Sequence, residues 1–205
     1  MRNFEYGERE ISYLSKNDKK LGKLIERTGP LECKVSEDLF DSLAGYIATQ
    51  QISNRAAETV SMRITQKFGT VTPEKIALLS DEEIKSVGIS MKKAQYIKGL
   101  SEAVLSGRLD IEGLAELPDE DVVSQLTSIR GIGDWTAEMF LIFSLGRPDI
   151  VSYKDFAIRK GILLLYGLKD LDRDTFGKYR KRYSPYGTTA SLYLWRLSEN
   201  GNQKD

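Results

Sequence analysis

Helix start and stop signals recur along most of this sequence, and they constrain the fold more than any other feature. Apolar residues return every three or four positions between residues 39 and 68, and a polar break at 50–53 divides that stretch into two predicted helices. Ser80 and Glu83 form a predicted capping box, and Asp155 stands where a later helix begins. No segment shows the alternation of a β-strand. The sequence predicts an all-α protein whose last five residues fray.

The composition is that of an ordinary globular protein, with 30 Lys and Arg, 30 Asp and Glu, and 40% hydrophobic residues among 205. Residues 1–10 lack the apolar stretch of a signal peptide or a membrane span, so we expect an intracellular, cytoplasmic protein. Zero net charge still permits a nucleic-acid partner, because one basic face suffices. With no His and a single Cys, Cys33, catalysis is expected to use carboxylates, lysines, hydroxyls or the backbone.

Residues 126–137, LTSIRGIGDWTA, place Gly131-Ile132-Gly133 between two predicted helices. Such a turn exposes backbone amides at the start of the second helix, where a phosphate group can bind. Glycine permits the close approach of another backbone, and Ile132 can be buried between the helices. The segment resembles the helix-hairpin-helix DNA-binding motif, although glycines between helices also occur in plain connectors.

Asp155 follows Trp135 by twenty residues and precedes a basic pair, Arg159-Lys160. Taken alone, an Asp in this place is a helix N-cap. A hairpin, an aspartate and a basic helix in this order resemble the helix-hairpin-helix DNA glycosylase superfamily, in which the aspartate is catalytic. The two roles are compatible, because the helix dipole favours the ionised form of a capping carboxylate.

Nearly the whole chain resembles one branch of that superfamily, the 3-methyladenine DNA glycosylase II family. The segments that carry this resemblance are residues 50–53 (QQIS), 90–97 (SMKKAQYI), 184–186 (SPY) and 193–196 (YLWR). Larger members have an additional N-terminal β-rich domain, and this sequence resembles the compact form without it. The resemblance implies a two-lobed helical fold with Asp155 in the cleft. Residues 36–148 are expected to form one lobe, and residues 1–35 with 149–205 the other.

The resemblance also implies a monofunctional enzyme without lyase activity. Superfamily members that cleave the DNA strand carry a Lys just after the hairpin, where this sequence has Trp135, and Trp cannot form an imine. Asp155 is then expected to stabilise an oxocarbenium-like sugar and to orient or deprotonate water. A base alkylated on a ring nitrogen is cationic and leaves as a neutral molecule. It needs no general acid, which agrees with a sequence that lacks His.

The resemblance further implies which residues handle the flipped base. Gln51, with its neighbour Ile52, is the predicted wedge that fills the gap in the duplex. The predicted base pocket, whose aromatic faces attract a cationic base, consists of Trp135, Met139, Phe156, Trp195 and Tyr46. Met139 stands where one branch of the family has a Tyr, which leaves the preferred lesion open. Aromatic residues at helical spacing are commonly core residues, so the pocket depends on the resemblance.

Contacts to the DNA backbone are expected from the amides of Gly131 and Gly133. The basic side chains expected to assist are Lys92, Lys93, Lys154, Arg159 and Lys160. Hairpins of this type in the family hold Na⁺ or K⁺ on carbonyl oxygens, which implies Thr127, Ile129 and Ile132 here. Arg130 stands where the family often has Pro, and its charge either competes with that ion or supports the phosphate contact. No other cofactor is expected, since one Cys cannot supply the thiolates of an iron–sulfur cluster.

Three alternatives remain open at this point. A glycosylase for oxidised or mismatched bases is compatible with Met139. A non-catalytic hairpin module that only binds DNA has no need of an aspartate in a water-accessible cleft. A strand-cleaving lyase needs an amine, for which Lys154 is the candidate. The preferred prediction is a monomeric enzyme that acts on damaged double-stranded DNA, associated with the nucleoid if the source is bacterial.

Overall fold

A computed structural model describes residues 1–200 of the chain, so the predicted fraying of the last five lies outside the described range. In that range the chain is mainly helical, which confirms the predicted class. The expectation of no strand was wrong in one small respect. β1 (Arg2–Asn3) pairs antiparallel with β2 (Lys34–Val35). Strands of two residues are too short to produce an alternating pattern, so periodicity does not reveal them.

The α-helices are α1 (Glu8–Asn17), α2 (Lys19–Thr28), α3 (Leu39–Thr49), α4 (Asn54–Phe68), α5 (Pro73–Leu78), α6 (Asp81–Lys85), α7 (Met91–Leu105), α8 (Asp119–Thr127), α9 (Asp134–Phe140), α10 (Phe156–Tyr166), α11 (Arg173–Tyr183) and α12 (Gly187–Asn200). A 3-10 turn at Gly113–Glu116 and a π-helical turn at Leu141–Leu145 complete the regular structure of the described residues. None of these helices is long and apolar enough to span a membrane.

The chain divides into two compact units. The central unit is Ser36–Phe140 and contains α3 to α9. The terminal unit contains Met1–Val35 and, among the described residues, 141–200. It begins at Leu141 rather than at residue 149, because the π-helical turn packs against β2.

Side-chain caps fix several helix starts where the sequence predicts them. The Ser80 hydroxyl accepts a hydrogen bond from the Glu83 amide, and the Glu83 carboxylate accepts one from the Ser80 amide. Asp155 likewise caps α10. α1 and α2 lie in a segment without a predicted helix. Asp18 separates them and caps α2, because its carboxylate accepts from the amides of Lys20 and Leu21.

The core of the terminal unit brings α10 and α12 into close contact. Ile158 and Ile162 of α10 are buried together with Tyr193 and Leu194 of α12. A Cβ at Gly161 would lie 2.5 Å from the Leu194 carbonyl oxygen, so only glycine permits this approach.

Candidate active site and nucleic-acid interface

The glycine turn of the central unit is a tight connection between α8 and α9. Gly131 has φ +100°, and a Cβ at this residue would overlap the ring of Tyr96 from α7. Ile132 is buried, as predicted, and its amide donates to the Ile129 carbonyl at 3.1 Å. Gly133 is exposed, and a Cβ there would meet no atom within 4 Å. The protein therefore needs glycine at 131 for its own fold, whereas the space at 133 is open to another molecule.

Two cationic side chains lie over the ring of Tyr96. The Lys92 ammonium is 5.7 Å from the ring centroid, and the Arg130 guanidinium carbon is 5.9 Å from it. Both side chains belong to exposed residues. Cations are attracted to the face of an aromatic ring, so Tyr96 holds positive charge next to the glycine turn. Arg130 thus adds to the positive charge at the hairpin.

Gln50 joins the loop after α3 to the hairpin. Its side-chain amide nitrogen donates to the Gly131 carbonyl at 3.0 Å and to the Thr136 hydroxyl at 2.9 Å. Lys93 holds the same loop, because its ammonium donates to the carbonyls of Ala48 at 2.9 Å and Gln50 at 2.6 Å. Desolvation lowers the pKa of Lys93. The Lys93 ammonium therefore binds the carboxyl end of α3, where helices attract cations.

The predicted wedge follows directly on this anchored residue. Gln51 has φ +55° and is the one residue other than glycine with a positive φ in the described range. It is exposed, and Ile52 is 37% exposed. A residue other than glycine in this region of φ and ψ carries strain, and such strain often marks functional sites.

Asp155 is the N-cap of α10 and lies mostly beneath the surface, with 7% of its area exposed. Its Oδ1 accepts a hydrogen bond from the Ile158 amide at 2.8 Å and another from the indole nitrogen of Trp195 at 3.1 Å. Trp195 is fixed in turn by Phe143, whose ring stacks on it at 5.5 Å between centroids. Hydrogen bonds from the Ile158 amide and the Trp195 indole therefore fix the orientation of the carboxylate.

The residues of the predicted base pocket belong to both units. In the terminal unit, Trp195 contacts Asp155, whereas Phe156 is 71% exposed and lines a surface depression with Arg159 and Lys160. In the central unit, Met139 is buried, and Trp135 and Tyr46 are partly buried. Lys154, one of the basic side chains expected to assist contacts to the DNA backbone, is exposed.

The carbonyls predicted to bind a monovalent cation lie at the carboxyl end of α8 and in the turn. Thr127 is the last residue of α8, so its carbonyl lies past the hydrogen-bonding ladder of the helix. The Ile129 carbonyl accepts from the Ile132 amide and retains a second lone pair. These oxygen donors are of the type that a hard cation takes.

Several residues that shape the site were not among the predicted site residues. Gln50, Tyr96 and Phe143 act through partners that are far away in the chain, at Gly131 or Trp195. The signal that could have found Gln50 and Tyr96 is their place in segments 50–53 and 90–97, which carry the family resemblance.

A family model for HhH-GPD superfamily base excision DNA repair proteins matches residues 44–185. The chain belongs to this superfamily. The matched range contains the glycine turn and Asp155, the two features on which the geometry centres.

One relative, DNA-3-methyladenine glycosylase 1 of Schizosaccharomyces pombe, is 33% identical to this chain over 194 residues. The match covers 92% of this chain and 85% of that protein. The crystal structure of a DNA-3-methyladenine glycosidase from Bacillus halodurans aligns with a TM-score of 0.85 at 36% identity. It covers 100% of this chain and 95% of the other. The structure of a Schizosaccharomyces pombe 3-methyladenine DNA glycosylase in complex with abasic DNA has a TM-score of 0.84 at 31% identity, over 93% and 97% of the two chains. These findings confirm the resemblance to the 3-methyladenine glycosylases.

Proposed function

We propose that this protein is a monofunctional DNA glycosylase that excises alkylated purines of the 3-methyladenine type from duplex DNA. The observation that carries the proposal is Asp155, a carboxylate held at the start of α10 by the Ile158 amide and the Trp195 indole. The names of the relatives supply the class of base.

Asp155 stabilises the transition state for loss of the base. As the N-glycosidic bond breaks, positive charge develops on the deoxyribose, and an ionised carboxylate that is already oriented stabilises it without reorganisation. Asp155 also orients or deprotonates the water that attacks the sugar carbon. The alkylated purine takes the electrons of the broken bond, loses its positive charge and leaves neutral. No acid is therefore required to protonate it.

Strand cleavage is not part of this reaction. A lyase would form an imine between an amine and the sugar, and residue 135, directly after the hairpin, is Trp. Lys154 is the amine next to Asp155 in the sequence, and this proposal gives it no role in strand cleavage.

Base flipping is assigned to the loop after α3. Gln51 enters the duplex and occupies the space of the flipped nucleotide, with Ile52 beside it. Gln50 and Lys93 fix the loop through four hydrogen bonds, two from each side chain. Lys93 thus serves as a positioning residue for the wedge, whereas the Lys92 ammonium over Tyr96 is available for a phosphate group.

The flipped base is assigned to a pocket with Trp195 as one wall, because that side chain also touches Asp155. Trp135, Met139 and Tyr46 stay predicted pocket residues. Phe156, which is 71% exposed, is assigned to the surface depression that it lines with Arg159 and Lys160.

The hairpin binds one DNA phosphate through the amides around Gly131 and Gly133. The carbonyls of Thr127, Ile129 and Ile132 would hold a Na⁺ or K⁺ ion there, which supplies positive charge near the phosphate when bound. Arg130 adds a permanent charge at the same place.

The proposal is tested with duplexes that carry 3-methyladenine, 7-methylguanine, uracil or 8-oxoguanine. Each is incubated with the wild-type protein or with Asp155→Asn and is then heated in alkali to cleave at abasic sites. We expect the wild type to release the methylated purines and Asp155→Asn to release none. Selective release of 8-oxoguanine or uracil would assign a different class of lesion.

Release of no base by either protein, with DNA binding retained, would reduce the function to binding. Borohydride trapping on abasic DNA tests the lyase alternative, because a covalent adduct lost in Lys154→Ala would show that an amine reacts.

A further inference from the structure

Two arginines of the terminal unit stack on one tyrosine close to Asp155. The guanidinium carbon of Arg159 lies 5.5 Å from the ring centroid of Tyr153, and that of Arg173 lies 4.8 Å from it. Arg159 is in the second turn of α10, and Arg173 is the first residue of α11. The Tyr153 ring is fixed by an edge-on contact with Phe176 at 5.1 Å. One rigid ring therefore brings together two cations from different helices.

Neither guanidinium has a carboxylate partner in the part of the chain that the structure describes. The ion pairs found there involve other residues, and the Nε of Arg159 is buried without a hydrogen-bond acceptor. Arg182 provides the contrast within the same unit. It also lies over a tyrosine, Tyr179, but it is paired with Asp18 at 2.7 Å.

Two of the acidic residues close to the pair in the sequence are engaged with backbone amides. Asp170 accepts from the Leu171 amide at 2.8 Å, and Asp172 accepts from the Thr175 amide at 2.7 Å. Two like charges that share one ring repel each other, and a buried donor without an acceptor is unfavourable. The arrangement favours an anion that accepts hydrogen bonds from both guanidinium groups.

The surface beside the pair has the chemistry of a nucleic-acid contact. A depression of about 180 Å³ is lined by Phe156, Arg159, Lys160, Leu163, Asp170 and Leu171. Phe156 is 71% exposed there, directly after Asp155 in the chain. Cations for phosphate oxygens next to an exposed aromatic ring are the combination with which proteins bind a nucleic-acid strand.

We propose that Arg159 and Arg173, held by Tyr153, bind one phosphodiester group of the DNA. This phosphate site belongs to the terminal unit, which also carries Asp155. The proposal rests on the proposed function, since it assumes a DNA substrate. Arginine suits the task because its planar guanidinium binds phosphate oxygens in pairs. The site lies in the terminal unit and is separate from the amides of the hairpin, and it includes Arg173 and Tyr153, which the sequence did not indicate.

The test is the salt dependence of binding to a duplex with an uncleavable tetrahydrofuran abasic site. Arg159→Gln and Arg173→Gln are each compared with the wild type between about 50 and 200 mM KCl. Loss of one neutralised phosphate reduces the magnitude of the negative slope of log K against log salt by about 0.9. We expect that decrease and a Kd about tenfold higher at low salt. The double variant should reduce the magnitude of the slope no further, because the two arginines share one phosphate.

Arg9→Gln is the matched control, since Arg9 also lies over a tyrosine of the terminal unit, 6.0 Å from the Tyr186 centroid, but alone. It should keep the wild-type slope. Arg173→Lys should restore part of the lost affinity, and Tyr153→Phe, which keeps the ring, should bind as the wild type does. Thermal unfolding of each variant verifies that it is folded.

The proposal would be overturned if Arg159→Gln and Arg173→Gln both kept the slope and Kd of the wild type, even while the wild type released methylated purines. The proposed function fails by a different result, the absence of base release by the wild type. In that event the salt slopes would still decide whether the two arginines bind a phosphate group.

Discussion

The two units offer a nucleic acid different chemical groups. The central unit presents a backbone turn, in which Gly133 is open to solvent, and uses the side chains of Gln50 and Tyr96 to hold that turn in place. The terminal unit presents side chains, with Asp155 fixed by Trp195 and a pair of arginines fixed by Tyr153. The hairpin of the central unit thus offers backbone groups that side chains support, whereas Asp155 and the arginine pair of the terminal unit offer side-chain groups.

This difference implies that different substitutions remove DNA binding and catalysis. Only substitution by proline deletes a backbone amide hydrogen, so other substitutions change the hairpin through its shape. A carboxylate can be neutralised with almost no change in shape. The units also differ in how they are stabilised, because the buried carboxylates of the described residues, Asp18 and Asp155, are both in the terminal unit.

The largest effect on folding is expected at Asp18. Desolvation of this carboxylate disfavours its charge, but hydrogen bonds from the Leu21 amide, Tyr166 and Arg182 outweigh it, so the pKa of Asp18 lies below its ordinary value. The resulting stabilisation is complete above about pH 5, where Asp is ionised even when unfolded, and is lost as the pH falls through the lowered folded pKa. We expect Asp18→Asn to lower the free energy of unfolding at pH 7 by about 2 kcal/mol.

Urea unfolding of the wild type and Asp18→Asn at several pH values measures this difference, which should shrink below about pH 4. Asp38→Asn is the control, because Asp38 also caps a helix, α3, but is exposed, and Asn is an equally good cap. A difference between wild type and Asp18→Asn that stayed constant with pH would show that the charge of Asp18 is not what stabilises the unit.

The second effect separates the two glycines of the hairpin. Gly131→Ala places a Cβ against the Tyr96 ring at a positive φ, so we expect a loss of about 1–3 kcal/mol in stability together with weaker DNA binding. Gly133→Ala meets open space, so the stability should be unchanged. Its DNA affinity should still decrease about tenfold, because a methyl group there obstructs the phosphate. Thermal unfolding and equilibrium binding measure both, and unchanged affinity of Gly133→Ala would remove the hairpin from the DNA interface.

The smallest effect concerns the anchored loop. Gln50→Leu removes two hydrogen bonds and leaves the buried Thr136 hydroxyl without this donor, which costs about 1 kcal/mol of stability. Gln51→Gly relieves the positive φ and deletes the wedge, so it should keep or slightly raise the stability while base flipping decreases. Fluorescence of 2-aminopurine next to the lesion reports flipping. Equal flipping by Gln51→Gly and the wild type would contradict the role of Gln51 as the wedge.

Much of the local structure was predictable because it depends on neighbours in the sequence. The cap by Asp155, the capping box at Ser80 and the burial of Ile132 follow from residues within a few positions of one another. The family and the catalytic candidate followed from the order and spacing of the hairpin and Asp155.

The remaining features depend on contacts between distant segments. Lys93 has the composition of a surface residue and was predicted to contact DNA, yet its ammonium binds the carbonyls of Ala48 and Gln50, because α7 begins beside the end of α3. Phe156 was predicted in the pocket from the resemblance, and it is exposed because it begins α10 two positions before Ile158, on the opposite face from the buried Ile158 and Ile162. The arginine pair on Tyr153 likewise requires α10 and α11 to meet.

The most direct test of the central claim compares catalysis and binding for Asp155→Asn. The rate of release of 3-methyladenine or 7-methylguanine is measured with enzyme in excess and saturating, and Kd is measured on the tetrahydrofuran duplex. We predict a rate at least about 10²–10³-fold below that of the wild type, with a Kd within about threefold. A rate within tenfold of the wild type, or a rate loss that is matched by an equal loss of affinity, would contradict the assignment of Asp155 to the chemical step.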